Sequence, residues 1–220
     1  MSANPEKAWY ITHIDIFEGI SDMEMMQIAE KAAEHRCESS KHIYGPHDGF
    51  DRNVFILKEG EVVLYHSHDG KRQIFDVLGP GSLFGNFFPT SASASHFAEA
   101  LPGSRYCSVP IEDFQKVVAV HPEILIRLLQ KLSARLQDYE HKLKIDTGSA
   151  MDRVLNELKR YQRKKRNPFS LLSKDSPLAL THEKLAELTG LNRVTVTRTI
   201  KLLKLEGEID VDAKGLISLK

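Results

Sequence analysis

The chain has 220 residues, of which 41% are apolar and 27% charged, which is typical of a soluble globular protein and excludes a disordered chain. No apolar run approaches the roughly 18–20 residues that cross a bilayer, and the first seven residues lack the pattern of a secretory signal. Two cysteines are too few for a disulfide framework, so we expect a cytoplasmic protein without a membrane partner.

The formal net charge of zero conceals an asymmetry along the chain. Residues 1–145 carry 15 Lys and Arg against 20 Asp and Glu, whereas residues 146–220 carry 15 against 10. The net charge is therefore −5 in the first part and +5 in the second. A basic half favours a polyanionic partner, although two solvated surfaces could differ this much by chance.

The first 120 residues have the pattern of a small β-protein. Ser21 and Glu24 form a capping box that predicts a helix to about Glu34. Seven glycines between Gly45 and Gly85 then separate short β-like runs. These runs, which predict an antiparallel sandwich or barrel, are Val54–Leu57, Glu61–Tyr65, Arg72–Leu78 and Arg105–Val109.

A long helix is predicted from about Pro122 to Ile145. Its apolar residues are spaced alternately by four and three positions, which is the a/d pattern of a coiled coil and predicts a homodimer seam. The seam residues are Leu125, Leu129, Leu132, Leu136, Tyr139 and Leu143. The alternative is that the helix packs on its own β-domain through Ile124, Ile126 and Leu128.

The next segment begins with a predicted hinge at Asp146–Ser149, where Gly148 ends the long helix and Ser149 can cap another. That next helix is predicted from Ala150 to about Tyr161. The run Lys159–Arg166 carries six cations in eight positions. It is interpreted either as a solvated helix end or as a contact with DNA phosphates beside the main binding site.

Residues 180–207 have the pattern of a helix-turn-helix. Thr181 is a predicted N-cap, Gly190 a left-handed turn residue and Asn192 the cap of the second helix. Val196, Ile200 and Leu203 define the buried face of that second helix. After Gly207, Glu208–Val211 and Lys214–Leu219 predict a two-stranded wing with a basic turn.

The outward face of the second helix is short and basic, as a helix that enters the major groove requires. Any one of these residues could simply lie on a solvated helix face. That alternative explains less well the whole pattern of helix, glycine turn, Asn cap and basic outer face. The residues predicted to contact DNA are Thr181, His182, Asn192, Arg193, Val194, Thr195, Thr197, Arg198, Lys201 and Lys214.

This order of elements resembles the Crp/Fnr family of bacterial transcription regulators over nearly the whole chain. The resemblance is most specific at Val54–Val62, Gly79–Gly85 and the helix-turn-helix. It implies an α+β fold, with a cyclic-nucleotide-binding-like β-roll (a double-stranded β-helix or jelly roll), a long dimerisation helix and a C-terminal winged helix-turn-helix. We place these domains at residues 1–120, 121–147 and 148–220. The resemblance also implies a homodimer on a palindromic DNA site and a contact with RNA polymerase, for which the Lys159–Arg166 run is a candidate.

The second helix most resembles that of the NtcA-type nitrogen regulators of this family. Members of the cAMP-receptor type have Glu where this chain has Val194, and valine cannot accept a hydrogen bond from cytosine. The resemblance therefore implies a GTA-type half-site rather than TGTGA. Arg193 would read guanine and Val194 would touch a thymine methyl group.

The resemblance also locates an effector pocket in the β-roll. Family members that bind cyclic nucleotides use a Glu and an Arg-Ser pair there, whereas this chain has Asn86 and no arginine between Arg72 and Arg105. A buried phosphate without a cation is costly, so cyclic AMP and cyclic GMP are not expected. The effector is unknown, and the candidate pocket residues are Phe84, Gly85, Asn86, Phe87, Arg135 and Tyr139.

No cofactor or metal is predicted. Cys37 and Cys107 cannot supply the four ligands of an iron–sulfur cluster, although they could form a redox pair if their strands are adjacent. His96 is a weak haem candidate, and the pair His66 and His68 lacks a third metal ligand nearby. An unidentified ligand, an anionic one such as 2-oxoglutarate, and no ligand at all remain open.

Two other classes of protein fit parts of the pattern. One is a ligand-binding regulatory subunit with a degenerate helix-turn-helix, and the other is a cupin-like enzyme with a DNA-binding appendage. The chain has no nucleophile motif, no cupin metal set and no phosphate-binding glycine loop. We therefore expect a non-enzymatic regulator.

Overall fold

The protein is described by a computed structural model that covers residues 15–48, 52–85, 87, 94–145, 148–165, 178, 180–213 and 215–220. Asn86, Arg166, Lys214 and the first two residues of the predicted hinge lie outside this range. The chain divides into two compact units. One comprises Met1–Leu64 with Val77–Leu136, and the other comprises Tyr65–Asp76 with Gln137–Lys220.

The strands of the N-terminal half form two four-stranded sheets, with strand orders β1-β8-β3-β6 and β2-β7-β4-β5. The predicted β-roll is confirmed, and the four predicted runs lie in β3, β4, β5 and β8, except that Glu61 precedes β4. Four further strands were not predicted, because they are short and three of them, β1, β2 and β7, mix polar with apolar residues. The strands are β1 (Ala33–Cys37), β2 (Lys41–Tyr44), β3 (Asn53–Glu59), β4 (Val62–His68), β5 (Lys71–Leu78), β6 (Leu83–Gly85), β7 (Phe97–Ala100) and β8 (Ser104–Pro110).

Three helices flank these strands: α1 (Asp22–Lys31), α2 (Ile111–Val120) and α3 (Pro122–Ile145). The capping box is confirmed, because Ser21 N donates to Glu24 Oε2 at 3.2 Å and Glu24 N donates to Ser21 Oγ at 3.4 Å. Helix α1 ends at Lys31, short of Glu34, since β1 begins at Ala33. The predicted bounds of the long helix α3 are confirmed.

The core of the first unit lies between the outer face of β3 and β8 and the helices. It contains Ile56, Cys107, Phe114, Ile124 and Leu128, all less than 3% exposed. Burial of this apolar surface, at about 25 cal/mol per Å², is the main force that fixes the helices on the sheet. Helix α3 therefore uses one face for its own domain.

The C-terminal part contains α4 (Ala150–Lys165), α5 (His182–Thr189), α6 (Arg193–Leu205), β9 (Ile209–Val211) and β10 (Ile217–Leu219). Ser149 caps α4 as predicted, because its Oγ accepts a hydrogen bond from Asp152 N at 3.2 Å. Helix α4 extends to Lys165 rather than Tyr161, so most of the basic run lies within the helix. The wing is confirmed as an antiparallel pair, and Leu178 bridges to Ile217 beside it.

The register of β1 and β8 prevents a disulfide between the two cysteines. The strands are adjacent, but Cys107 lies opposite Glu34, three residues from Cys37. Three residues span about 10 Å along a strand, and an odd offset places the side chains on opposite faces of the sheet. Disulfides need Cα atoms within about 7 Å, so the intramolecular redox pair is excluded. Burial raises the pKa of the Cys37 thiol, which makes it less reactive.

Candidate nucleic-acid interface

Local hydrogen bonds set the geometry of the α5-turn-α6 element. Thr181 Oγ1 accepts from Lys184 N at 3.1 Å, and Asn192 Oδ1 accepts from Thr195 N at 2.8 Å. Gly190 adopts φ +65°, the left-handed conformation that ends α5. All three predicted capping roles are confirmed.

Helix α6 separates an apolar face from a basic one. Val196, Ile200 and Leu203 are at most 4% exposed, and they pack in the C-terminal core. Four predicted contact residues lie on the opposite, solvent-exposed surface, which we call the reading face: Arg193, Val194, Arg198 and Lys201. Val194 is 60% exposed, which is unusual for a valine and leaves its methyl groups available to a partner.

Two other predicted contact residues form hydrogen bonds within the protein. Thr197 Oγ1 donates to the Arg193 carbonyl oxygen at 2.9 Å and lies 3.0 Å from His182 Nδ1. Because the hydroxyl proton is used on Arg193, the ring nitrogen of His182 is the donor in the second bond. Sequence reasoning placed both residues at the interface but missed this link between α5 and α6, which no local pattern encodes.

Arg193 has an acidic neighbour on α5. Its Nε lies 3.8 Å from Glu183 Oε2, and both side chains are about 70% exposed. An exposed ion pair contributes roughly 0–1 kcal/mol, so it does not compete strongly with a guanine or phosphate contact. Thr181, Asn192 and Thr195 lie at the amino ends of the two helices, where exposed backbone N–H groups favour an anion.

Cations from outside the element hold the carbonyl end of α5. Lys142 Nζ donates to the Leu188 carbonyl oxygen at 3.1 Å, and Arg153 Nη2 donates to that of Thr189. A Cβ atom at Gly190 would lie 3.2 Å from Arg153 Nη2, so this turn is closely packed as well as left-handed. The sequence carries no local signal for these contacts, because the two cations lie 46 and 36 residues away.

The predicted seam of α3 is mostly exposed. Leu129, Leu132, Leu136 and Leu143 are 39–69% exposed, whereas Leu125 is partly buried against the core. Ile124 and Leu128 instead pack on the helix's own domain, but Ile126 does not and is 59% exposed. The alternative of packing on the helix's own domain therefore holds for Ile124 and Leu128 but not for Ile126, and the dimer seam remains a prediction.

The candidate effector residues do not form one group. Phe84 is buried in an aromatic cluster, with its ring centroid 5.2 Å from Phe55 and 6.4 Å from Tyr44. Phe87 packs instead on Phe114 of α2 at 5.9 Å. Arg135 is half-buried, and Gly85 adopts φ +106° against the Asn53 carbonyl oxygen. The hydroxyl of Tyr139 donates to Asp76 at 2.8 Å within the C-terminal unit.

The histidines considered as metal or haem ligands have other contacts. His66 stacks on Phe75 at 4.9 Å, His68 lies 3.4 Å from Asp69, and His96 Nε2 lies 3.2 Å from the Tyr44 hydroxyl. Within the described ranges, no three His, Cys, Asp or Glu side chains are grouped as metal ligands. Among those same residues, none of the helices has the length and apolar character needed to cross a membrane.

Two protein-family models match the chain. A cyclic nucleotide-binding domain matches residues 35–121, and a Crp-like helix-turn-helix domain matches residues 152–220. The second match covers the reading face, and together the two matches extend over most of the chain.

Curated relatives and solved structures are similar to this chain over most of its length. The chain is 22% identical to the cAMP-activated global transcriptional regulator CRP of Pasteurella multocida, over 98% of this chain and 95% of the relative. It is 29% identical to the global nitrogen regulator of Synechocystis sp., over 81% of each. FixK2 from Bradyrhizobium japonicum has a similar fold, with a TM-score of 0.72, 22% identity and coverage of 86% of this chain and 92% of that one.

A transcriptional regulator of the CRP/FNR family from Thermus thermophilus is 25% identical, with a TM-score of 0.64 and coverage of 86% and 93%. These similarities cover both the β-roll and the winged helix-turn-helix of this chain. The chain belongs to the Crp/Fnr family of DNA-binding transcription regulators.

Proposed function

We propose that the protein is a homodimer that binds a palindromic DNA site through the reading face of α6. The observation that carries this proposal is the exposed set Arg193, Val194, Arg198 and Lys201 on a helix whose other face is buried. In a two-fold dimer, two such helices would enter successive major grooves about 34 Å apart. This is a non-enzymatic role in the cytoplasm, with RNA polymerase as a further partner.

The proposed half-site has a GTA-type core. The guanidinium of Arg193 can donate two hydrogen bonds to guanine O6 and N7, and Val194 can contact the methyl group of thymine. Lys201 and Arg198 lie further along the same face, where they suit phosphate or base contacts. Lys214, which lies outside the described residues, remains a predicted phosphate contact of the wing.

The dimer is proposed to form through the exposed leucines of α3. Leu132 and Leu136 lie one turn apart, and both are solvent-exposed in the single chain. Each leucine that becomes buried contributes about 1.5–3 kcal/mol, and a symmetric dimer buries two copies of each. Such a stripe is long enough to make the two-fold interface that a palindromic site requires.

The signal is proposed to be something other than a cyclic nucleotide. The inner face of the roll contains the packed rings of Tyr44, Phe55, Phe84 and Tyr106, and no arginine occurs between Arg72 and Arg105. A cyclic phosphate would need a buried cation in this segment. A thermal-shift screen should therefore show no stabilisation by cyclic AMP or cyclic GMP, and 2-oxoglutarate is the first anion to test.

The test of the DNA-binding function is a gel shift on a palindromic GTA-type site and on a scrambled duplex. The Leu132→Glu variant should sediment as a monomer and lose most of its affinity for the palindrome. Two lost leucine contacts correspond to about 3–6 kcal/mol, or roughly a hundredfold weaker association or more. Ala134→Glu is the matched control, since Ala134 is exposed on the opposite side of the same helix.

Equal binding of the wild-type protein to both duplexes would overturn the proposed specificity. Absence of DNA binding would favour the regulatory subunit, and turnover of a small molecule would favour the enzyme. If the Leu132→Glu variant remains a dimer, the α3 seam does not form the dimer interface.

A further inference from the structure

The tip of the β4–β5 hairpin, Tyr65–Asp76, belongs to the same compact unit as the DNA-binding helices. Its sequence position assigns it to the sensor roll, yet its side chains contact the helix-turn-helix. Arg72 Nε lies 3.9 Å from Glu187 Oε1 of α5, and the side-chain amide of Gln73 lies against the turn at Gly190. The hairpin tip thus reaches the back of the element that carries the reading face.

A buried carboxylate anchors the end of this hairpin. Asp76 is fully buried and accepts a hydrogen bond from the Tyr139 hydroxyl of α3 at 2.8 Å. Its other oxygen lies 3.9 Å from Arg160 Nη1 of α4, and Arg160 also donates to Glu157 at 2.8 Å. A buried charge is costly unless it is compensated, so these groups hold the hairpin, α3 and α4 in one arrangement.

Lys142 lies close to one turn after Tyr139 on α3 and makes a second link. Its Nζ donates to the Ile74 carbonyl oxygen of the hairpin at 3.3 Å and to the Leu188 carbonyl oxygen of α5 at 3.1 Å. The carbonyl end of a helix carries partial negative charge, which favours a cation there. One ammonium group therefore joins the hairpin, α3 and the first helix of the helix-turn-helix.

We propose that the hairpin tip is a clamp that positions the recognition helix, with Asp76 and Lys142 as its positioning residues. The clamp holds α6 in a fixed orientation relative to the second half of α3. In a dimer this orientation determines whether both reading faces can bind one palindrome at the same time. The inference rests on the proposed dimeric DNA binding.

The physical basis is effective concentration. When the helix-turn-helix of one subunit has bound its half-site, that of the other subunit is held close to the second half-site. If its orientation is fixed, it can bind without a further search. A helix-turn-helix that rotates freely loses this advantage, because fixing its orientation on binding costs entropy. Loss of the clamp should therefore weaken binding to the full palindrome and leave binding to a single half-site unchanged.

The experiment compares Asp76→Asn with Asp69→Asn in the full-length protein. The Asp76→Asn variant would keep a side-chain oxygen for Tyr139 but lose the charge near Arg160, while Asp69 is 84% exposed at the tip of the same hairpin. We expect Asp76→Asn to lower affinity for the palindrome at least about tenfold and half-site affinity by less than about twofold. Asp69→Asn should change neither. Lys142→Met, which keeps Asp76 and removes the hydrogen bonds to the Ile74 and Leu188 carbonyl oxygens, should repeat the Asp76→Asn result.

Hydrogen exchange on the DNA-free protein gives a second measurement. Asp76→Asn and Lys142→Met should speed amide exchange in residues 71–75 and 188–190, with the amides of β3 and β8 unchanged. If the wild-type protein binds no palindrome, the proposed function fails, while this exchange pattern still tests the clamp.

An unchanged ratio of palindrome to half-site affinity in both variants would overturn the positioning role. Tighter binding to the palindrome would also overturn it and would identify the contact as inhibitory. An equal loss on half-site and palindrome would show that Asp76 and Lys142 act through general stability or direct DNA contact instead.

Discussion

Arginine and lysine have opposite environments in the β-roll and on the recognition helix. In the roll, Arg105 donates to Glu34 at 2.8 Å and to Glu59 at 3.0 Å, and the buried Lys58 ammonium lies 3.7 Å from Glu34. On α6, Arg198 and Lys201 extend into solvent. A cation that is buried with a carboxylate has its interactions already made, whereas an exposed cation can still bind a polyanion.

The pKa of Glu34 reflects its contacts with these cations of the roll. Burial raises the pKa of this carboxyl, but the hydrogen bond from Arg105 and the charge of Lys58 outweigh it, so the pKa is lowered from its ordinary value of 4.5. The folded roll therefore favours the ionised network. The stability that this network contributes is present above pH about 4.5 and is lost as the pH falls through the lower pKa of the folded protein.

Arg105→Met should have the largest effect on folding. It leaves Glu34 largely buried without its closest cation, and breaking such a pair costs about 3 kcal/mol. The free energy of unfolding, measured with urea, should fall by this amount, while the folded protein should keep its preference among DNA sequences. Arg52→Met is the matched control, since Arg52 pairs with Glu112 at the surface and should cost less than about 1 kcal/mol. Equal losses for the two variants would contradict the contrast between buried and exposed pairs.

Arg193→Ala should weaken DNA binding and leave the stability of the fold nearly unchanged, which is the reverse of Arg105→Met. We expect a loss of about 1–3 kcal/mol in binding to the GTA-type palindrome and a relaxed preference at the guanine. The free energy of unfolding should change by less than about 0.5 kcal/mol, because the side chain is exposed. An equal loss of affinity on scrambled DNA would make Arg193 a phosphate contact only.

The basic run at the end of α4 is expected to contribute less, and only through salt dependence. Replacing Lys164, Lys165 and Arg166 with glutamine should flatten the plot of log affinity against log salt by up to about 0.9 for each lost phosphate contact. Lys116→Gln, on α2 of the acidic half, should leave that slope unchanged. If the triple variant has the wild-type slope, the run lies outside the DNA interface.

The smallest expected effect concerns His121, which lies between α2 and α3. Its Nε2 lies 2.9 Å from Glu24 Oε1 and its Nδ1 lies 3.2 Å from Glu123 Oε1. Desolvation lowers the pKa of His121, but the two glutamates outweigh it, so the pKa is raised from 6.5. The protonated ring therefore stabilises the fold below pH about 6.5, and this contribution is lost as the pH rises through the raised pKa.

His121→Gln should accordingly narrow the difference in unfolding free energy between pH 6 and a pH above the raised pKa. DNA affinity per folded molecule should not change. His68→Gln is the control, because His68 is exposed at the hairpin tip. A variant whose stability keeps the wild-type pH dependence would remove His121 from this role.

The sequence predicted the helix-turn-helix more accurately than the roll. The physical reason is that the interacting residues are close together along the chain in the first and far apart in the second. Thr181, Gly190 and Asn192 act on backbone groups within four residues, so their roles are encoded locally. Strands β1 and β2 depend on distant partners, and the run Ala33–Cys37 has no alternating pattern of its own. Local chemistry could be read directly, whereas strand pairing could not.

The same reasoning explains what was missed at the interface. The reading face follows from helical periodicity, but the bond between His182 and Thr197 joins two helices across a turn. Lys142 reaches Leu188 over 46 residues, so no spacing rule predicts it. The α4 helix also continued past Tyr161, because the long side chains of the basic run are good helix formers.

The hydrogen bond from Thr197 to the Arg193 carbonyl has a consequence for the chemistry of the operator. With its hydroxyl committed to the backbone, Thr197 can offer DNA little besides its methyl group, and Val194 offers only methyl groups. Much of the sequence information would then be carried by hydrocarbon contact with position 5 of pyrimidines rather than by donors and acceptors. If α6 reads DNA in the proposed way, it should distinguish thymine from uracil and should accept 5-methylcytosine more readily than cytosine at the same step.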